Sequence, residues 1–146
     1  MKLETKTLIL VADGAKYLIL ENAGWPAKLE LRVLSHDGID NPPTRDQAKD
    51  RAGVLPGNSD WSLSAMEQTD VHELRETEFA GQLVTKLNRW AEQNWFKNIV
   101  IVADPETLGQ MRRKYSAPLK DRLIREIPKD LTNLTIHDIQ AVLNAA

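Results

Sequence analysis

Two nearly continuous apolar runs, TLILVA at 7–12 and NIVIVA at 98–103, constrain this chain more than any other feature. A strand without a polar face must be covered on both sides, as in the middle of a sheet that carries helices on each face. Between the runs, Phe79, Ala80, Leu83, Val84, Leu87, Trp90 and Ala91 recur at three- and four-residue steps. That stripe predicts a long helix over 72–95, with Glu73, Glu76 and Glu78 in its first turns, where acids suit the helix dipole. A helix joining two strands makes the pair parallel. Asp13-Gly14 follows the first run and tolerates the positive φ angles of a tight hairpin. A second strand, 15–20 (AKYLIL), is therefore expected to return antiparallel. Leu29, Leu31 and Val33 alternate with charged residues, which predicts a half-exposed third strand over 28–34.

Beyond the second run, Asp104-Pro105 reads as a helix start, with an acid at the N-cap and proline at the first helical position. The helix 105–115 turns Leu108, Met111 and Tyr115 inward. Ser116 opens another, with Leu119, Leu123 and Ile127 on one side and Pro128 ending it. Residues 130–134 read as a short edge strand, and Thr135-x-x-Asp138 as the capping box of a last helix packing Ile139, Val142 and Leu143. The element order predicts an α/β fold: a mixed β-sheet of about five strands flanked by helices. No internal repeat breaks the chain, and 146 residues suit one domain over 1–146. Periodicity disappears from Ser35 to Val71, so a long loop is expected at 36–71, a length that is usually functional or disordered.

Composition narrows the chemistry. With 19 basic against 21 acidic side chains the net charge is −2, which excludes a grossly basic nucleic-acid binder but not a local patch. The absence of cysteine excludes a disulfide framework, a zinc ribbon and a thiol nucleophile. The apolar start is too short for a signal peptide or a membrane span, so a soluble, cytoplasmic protein without membrane insertion is expected. No phosphate-binding loop, dinucleotide fingerprint or nucleophile elbow is present, and no cofactor is expected.

Asp13 and Asp104 close two predicted central strands and are expected to converge at one sheet edge, where sites in α/β folds often lie. Their bland roles are a turn and a helix cap. His72-Glu73-x-x-Glu76 sets an imidazole and a carboxylate one turn apart, but acids are common at helix starts and no metal site is assigned. The weak catalytic candidates are Asp13, Asp50 and His72. Candidate binding residues are Arg45, Asp46, Lys49 and Arg51 in the segment TRDQAKDR, with Trp61 in the same loop as a stacking or partner anchor. Charge is also segregated. Residues 112–129 hold seven basic residues against two acids, an excess of five, and residues 60–80 hold six acids against one arginine. Within the basic stretch Arg122, Arg125 and Lys129 are expected to form one outward helical stripe, suited to RNA, the ribosome or an acidic protein partner.

The segments ADGAKYLILEN, NPPTRDQAKDRAG, SAMEQTDVHE leading into EFAGQLVTKL, NIVIVADPETLGQMRRKYS and IREIPKDLTNLTIHDIQAVL together resemble the bacterial host attachment proteins, also described as proteins required for attachment to host cells. That family is grouped with bacterial and archaeal relatives of the central domain of archaeal and eukaryotic peptide-chain release factors. The resemblance covers essentially the whole chain in order and implies a ribonuclease H-like, release-factor central-domain-like fold. Such release factors carry a Gly-Gly-Gln tip, which promotes peptidyl-tRNA hydrolysis, on the loop before the main helix. No such tripeptide stands in 36–71, and Gly81-Gln82 falls inside the predicted helix. The family often reads Asp-Arg-Pro-Gly-Arg where this chain has Asp50-Arg51-Ala52-Gly53-Val54, and glycine-rich sequence with arginine where it has Gly57-Asn58-Ser59-Asp60. The resemblance implies a non-catalytic factor acting through RNA, ribosome or protein contacts, with any role in attachment indirect. The alternatives are a hydrolase of peptidyl-tRNA or another RNA-linked ester, and a structural partner subunit.

Overall fold

A computed structural model describes residues 1–38 and 65–146, with side chains described for 1–35 and 74–146. Strand β1 (Leu8–Ala12) is buried at every residue. It pairs antiparallel with β2 (Lys16–Asn22) and parallel with β4 (Ile99–Ala103), itself buried throughout. With β3 (Leu31–Gly38) beside β2 and β5 (Leu123–Ile127) beside β4, the mixed sheet runs β3-β2-β1-β4-β5. The helices are α1 (Ala65–Glu92), α2 (Pro105–Arg112), α3 (Ala117–Arg122) and α4 (Ile136–Ala145).

The period of two along the strands divides the apolar residues into two layers. Leu8, Leu10, Ala12, Ile99, Ile101 and Ala103 face one side, packed with Phe79, Leu83, Val84 and Leu87 of α1, Leu108 and Met111 of α2 and Leu119 of α3. Ile9, Val11, Val100 and Val102 face the other, against Ile139 and Leu143 of α4 with Leu29 and Leu131. Asn22, fully buried, stitches the start of the chain to this frame. Its amide Nδ2 donates to the Leu3 carbonyl at 2.9 Å, and its Oδ1 accepts from the Gly24 and Glu30 backbone N–H groups at 2.9 and 3.0 Å.

Several elements depart from the sequence expectation. Residues 123–127 are a strand rather than the end of a helix. Leu123 N–H caps α3 by donating to Leu119 and Lys120 carbonyls, and the chain then pairs parallel with β4. Without β5, the second edge of the buried β4 would carry unpaired backbone groups, a larger cost than any local helix preference. Residues 130–134 form a turn rather than an edge strand, closed by Leu134 N–H to the Leu131 carbonyl. Strand β3 runs to Gly38, three residues into the expected loop, because β2 pairs with it from Asn22–Leu31 to Lys16–Gly38. Helix α1 starts at Ala65 rather than 72, its first turn being the good helix formers Ala65, Met66, Glu67 and Gln68, ahead of the apolar stripe.

The β1–β2 turn also differs. No described glycine has a positive φ. The Asp13 carboxylate makes the turn, Oδ1 accepting from the Ala15 and Lys16 backbone N–H groups at 2.7 and 2.8 Å. Gly14 serves by its size, since a Cβ there would lie 2.4 Å from Oε2 of Glu76. At the far end of α1, Asn94 takes the left-handed conformation (φ 58°), Asn94 N–H bonds the Ala91 carbonyl and Trp95 N–H the Trp90 carbonyl. This is a Schellman cap, whose characteristic apolar contact is here Trp95 stacked on Trp90, with ring centroids 5.7 Å apart and planes 6° from parallel.

Asn22→Ala would leave the buried Gly24 N–H and Leu3 carbonyl and the half-buried Glu30 N–H without their partner, at about 1–3 kcal/mol for each fully buried group. Chemical denaturation is expected to show a lower midpoint for this variant, and an unchanged midpoint would contradict the stitching role.

Candidate functional site

The register places Ala12 opposite Ala103, so Asp13 and Asp104 follow side by side at the carboxyl end of the parallel pair β1–β4. Their convergence was legible, and each carboxylate holds its neighbours in place. Besides making its turn, Asp13 accepts through Oδ2 from the Thr132 hydroxyl at 2.8 Å, tying the β5–α4 connection to the sheet edge. Asp104 caps α2, with Oδ2 accepting from Thr107 N–H at 3.1 Å, while its Oδ1 is buried without a hydrogen-bond partner among the described residues. No group of three or more metal-ligating side chains comes together among the described residues, and none of their helices is long and apolar enough to cross a membrane.

The outward side of α1 carries a different arrangement. A shallow groove of about 560 Å³ is lined by Lys86, Arg89 and Lys114, with Glu78, Gln82 and Thr85 along it. Three cations thus face one acid. Lys114 comes from the segment after α2, and its chain lies over Gly81, where a Cβ would approach its Nζ to 3.1 Å. Asn88 fixes this crossing: its Nδ2 donates to the Lys114 carbonyl and its Oδ1 accepts from Ser116 N–H, each at 3.0 Å. Arg89 and Lys114 are exposed, whereas Lys86 is half-buried and donates to the Tyr17 hydroxyl at 2.6 Å.

The expected Arg122–Arg125–Lys129 stripe does not form, because residues 123–127 are a strand. Arg122 instead clamps the Schellman cap. Its Nε donates to the Phe96 carbonyl at 3.0 Å, Nη1 to the Pro118 carbonyl at 2.9 Å and Nη2 to Asn94 Oδ1 at 2.5 Å. Arg125 and Lys129 share a small hollow of about 340 Å³ beside the end of α4. Arg45, Asp46, Lys49, Asp50, Arg51 and Trp61 lie outside the described residues. His72 belongs to α1, and its side chain is likewise outside those described. Counting charge over 112–129 brought in Lys114 but missed Lys86 and Arg89. Their signal was the three-residue step from Lys86 to Arg89 away from the apolar stripe, and only the fold brings Lys114 beside them.

The chain matches the model of a family described as bacterial archaeo-eukaryotic release factor family 12 over residues 6–143. It is 30% identical over 147 aligned positions to an uncharacterized protein of Rickettsia prowazekii (strain Madrid E), covering 94% of this chain and 90% of that protein. The chain therefore belongs to bacterial archaeo-eukaryotic release factor family 12, and its mixed five-stranded α/β sheet is consistent with a release-factor-like domain.

One ion-pair cluster sets the position of the basic segment. Glu126 on β5 accepts from Arg112 Nε and from the Tyr115 hydroxyl, both at 2.8 Å. Burial, the bond to Glu126 and the Glu126 charge push the Tyr115 phenol well above its ordinary range, with Arg112 opposing. The fold thus favours the neutral phenol. That share of the stability is fully present below the ordinary phenol range, near pH 10, and is lost as pH rises above it. Unfolding midpoints measured against pH are expected to fall more steeply above about pH 10 in wild type than in Tyr115→Phe, and identical slopes would contradict this.

Proposed function

We propose that this protein is a non-catalytic factor of the translation apparatus that contacts ribosomal or transfer RNA through the groove lined by Lys86, Arg89 and Lys114. The supporting observation is the convergence of these three cations, from two chain segments, on the outward face of α1 against the single acid Glu78. Phosphate contacts of this kind supply most of non-specific RNA affinity and release counterions. The release-factor kinship favours an RNA partner on the ribosome. The described portion of the chain and the sequence of 39–64 lack a Gly-Gly-Gln tripeptide, which favours binding over peptidyl-tRNA hydrolysis. Any part in attachment to host cells then follows indirectly from this role.

Ribosome co-sedimentation at low and high salt tests the proposal. Three phosphate contacts to single-stranded RNA would give a log–log salt slope of about −2. Arg89→Ala and Lys114→Ala are each expected to shrink that slope by about 0.7 and to lower the pelleted fraction. No association at low salt, or binding unaffected by both substitutions, would overturn it.

A further inference from the structure

The groove does not end at Arg89. Lys86, which lines it, lies over the Trp90 ring at 5.9 Å, and Trp90 stacks on Trp95. Trp95 is 68% exposed. The Schellman cap accounts for the ring face laid on Trp90 and leaves the other face to solvent. Arg122 bonds Asn94, the residue before Trp95, and the ring itself is stacked on Trp90. Beside it opens a second, larger groove of about 870 Å³. Its charge is balanced, unlike the first. Of its acids, Glu4 lies 3.8 Å from Lys97 and accepts from Asn98, and Glu21 pairs with Arg32. Leu34, Phe96 and the two tryptophans supply apolar and aromatic walls.

The two surfaces therefore differ in what they accept. The cation-lined groove, running about 18 Å along α1 from Thr77 to Arg89, suits a polyanionic backbone. The adjoining neutral, aromatic groove disfavours phosphate and suits a planar, uncharged ring. A basic track leading to an exposed aromatic face is the combination that binds single strands, since every base has a π-face for stacking while duplex bases are already stacked on each other. Resting on the RNA-binding reading above, we infer that the ligand is an unpaired RNA strand, its phosphates along Lys114, Lys86 and Arg89 and one base stacked on the open face of Trp95. The charge balance favours RNA over a protein partner, because an acidic peptide would meet the cations but offer no ring at Trp95 by necessity.

Binding of a short oligouridylate and of a hairpin duplex RNA to the full chain, followed by fluorescence anisotropy at low salt, tests this. Trp95→Ala is expected to weaken oligouridylate binding roughly five- to 140-fold, the range for one stacked base. Trp95→Phe is expected to restore most of it. Trp95→Leu, which keeps the apolar cap contact on Trp90, should bind as weakly as Trp95→Ala, and none of the three should change duplex binding. Equal oligouridylate binding by wild type and Trp95→Ala, or recovery in Trp95→Leu, would overturn the stacked base while leaving the groove as an RNA site. No binding of either RNA by wild type would overturn the RNA reading itself, and this inference with it.

Discussion

Everything in this fold follows from burying β1 on both faces and pairing it on both edges. Five consecutive residues without a polar side chain forfeit their hydration only if two layers cover them. At about 25 cal/mol for each Å² of apolar surface removed from water, no single helix suffices. The long α1 with α2 and α3 closes one side and α4 the other. The edges impose the rest. The Asp13 turn supplies β2, and the helical crossover through α1 supplies β4 in parallel. Strand β4, equally buried, then needs a partner of its own, and that need draws 123–127 out of helix and into β5.

The same constraint sorts the charged residues into two populations. Those at the joints of the frame are committed to it: Asp13 to its turn and Thr132, Asp104 to α2, Glu126 to Arg112 and Tyr115, Arg122 to the end of α1. Each is partly desolvated and bonded to a neighbour in the frame, so its charge is spent on geometry. Arg89 and Lys114 are different, because both stay exposed along the groove on α1. A chain of net charge −2 can thus present a cationic groove.

Legibility in the sequence followed locality. The two buried strands, the apolar stripe of α1, the caps at Asp104 and Thr135 and the pairing of Asp13 with Asp104 all rest on patterns within a few residues or on simple connection rules, and the structure has them. The strand at Leu123–Ile127 was hidden because LIREI has a period compatible with the preceding helix, and only the distant edge of β4 decides otherwise. Arg122 illustrates the same limit for function. Its spacing to Arg125 and Lys129 suggested an exposed stripe, yet its partners Phe96 and Asn94 lie 26 and 28 residues away in sequence. The groove on α1 was invisible for the same reason, since Lys114 reaches Gly81 only through the α1–α2 packing. The family resemblance was legible in its release-factor kinship, which the match over residues 6–143 shows.

Photocrosslinking measures the central claim most directly. A 4-thiouridine-containing RNA strand, bound at low salt and irradiated, would be digested and its peptide adducts located by mass spectrometry. Adducts concentrated on the segment from Gly81 to Trp95 and on Lys114 are the predicted result. Adducts confined to the Asp13–Asp104 edge or the Arg125–Lys129 hollow, with α1 unmodified, would contradict the account.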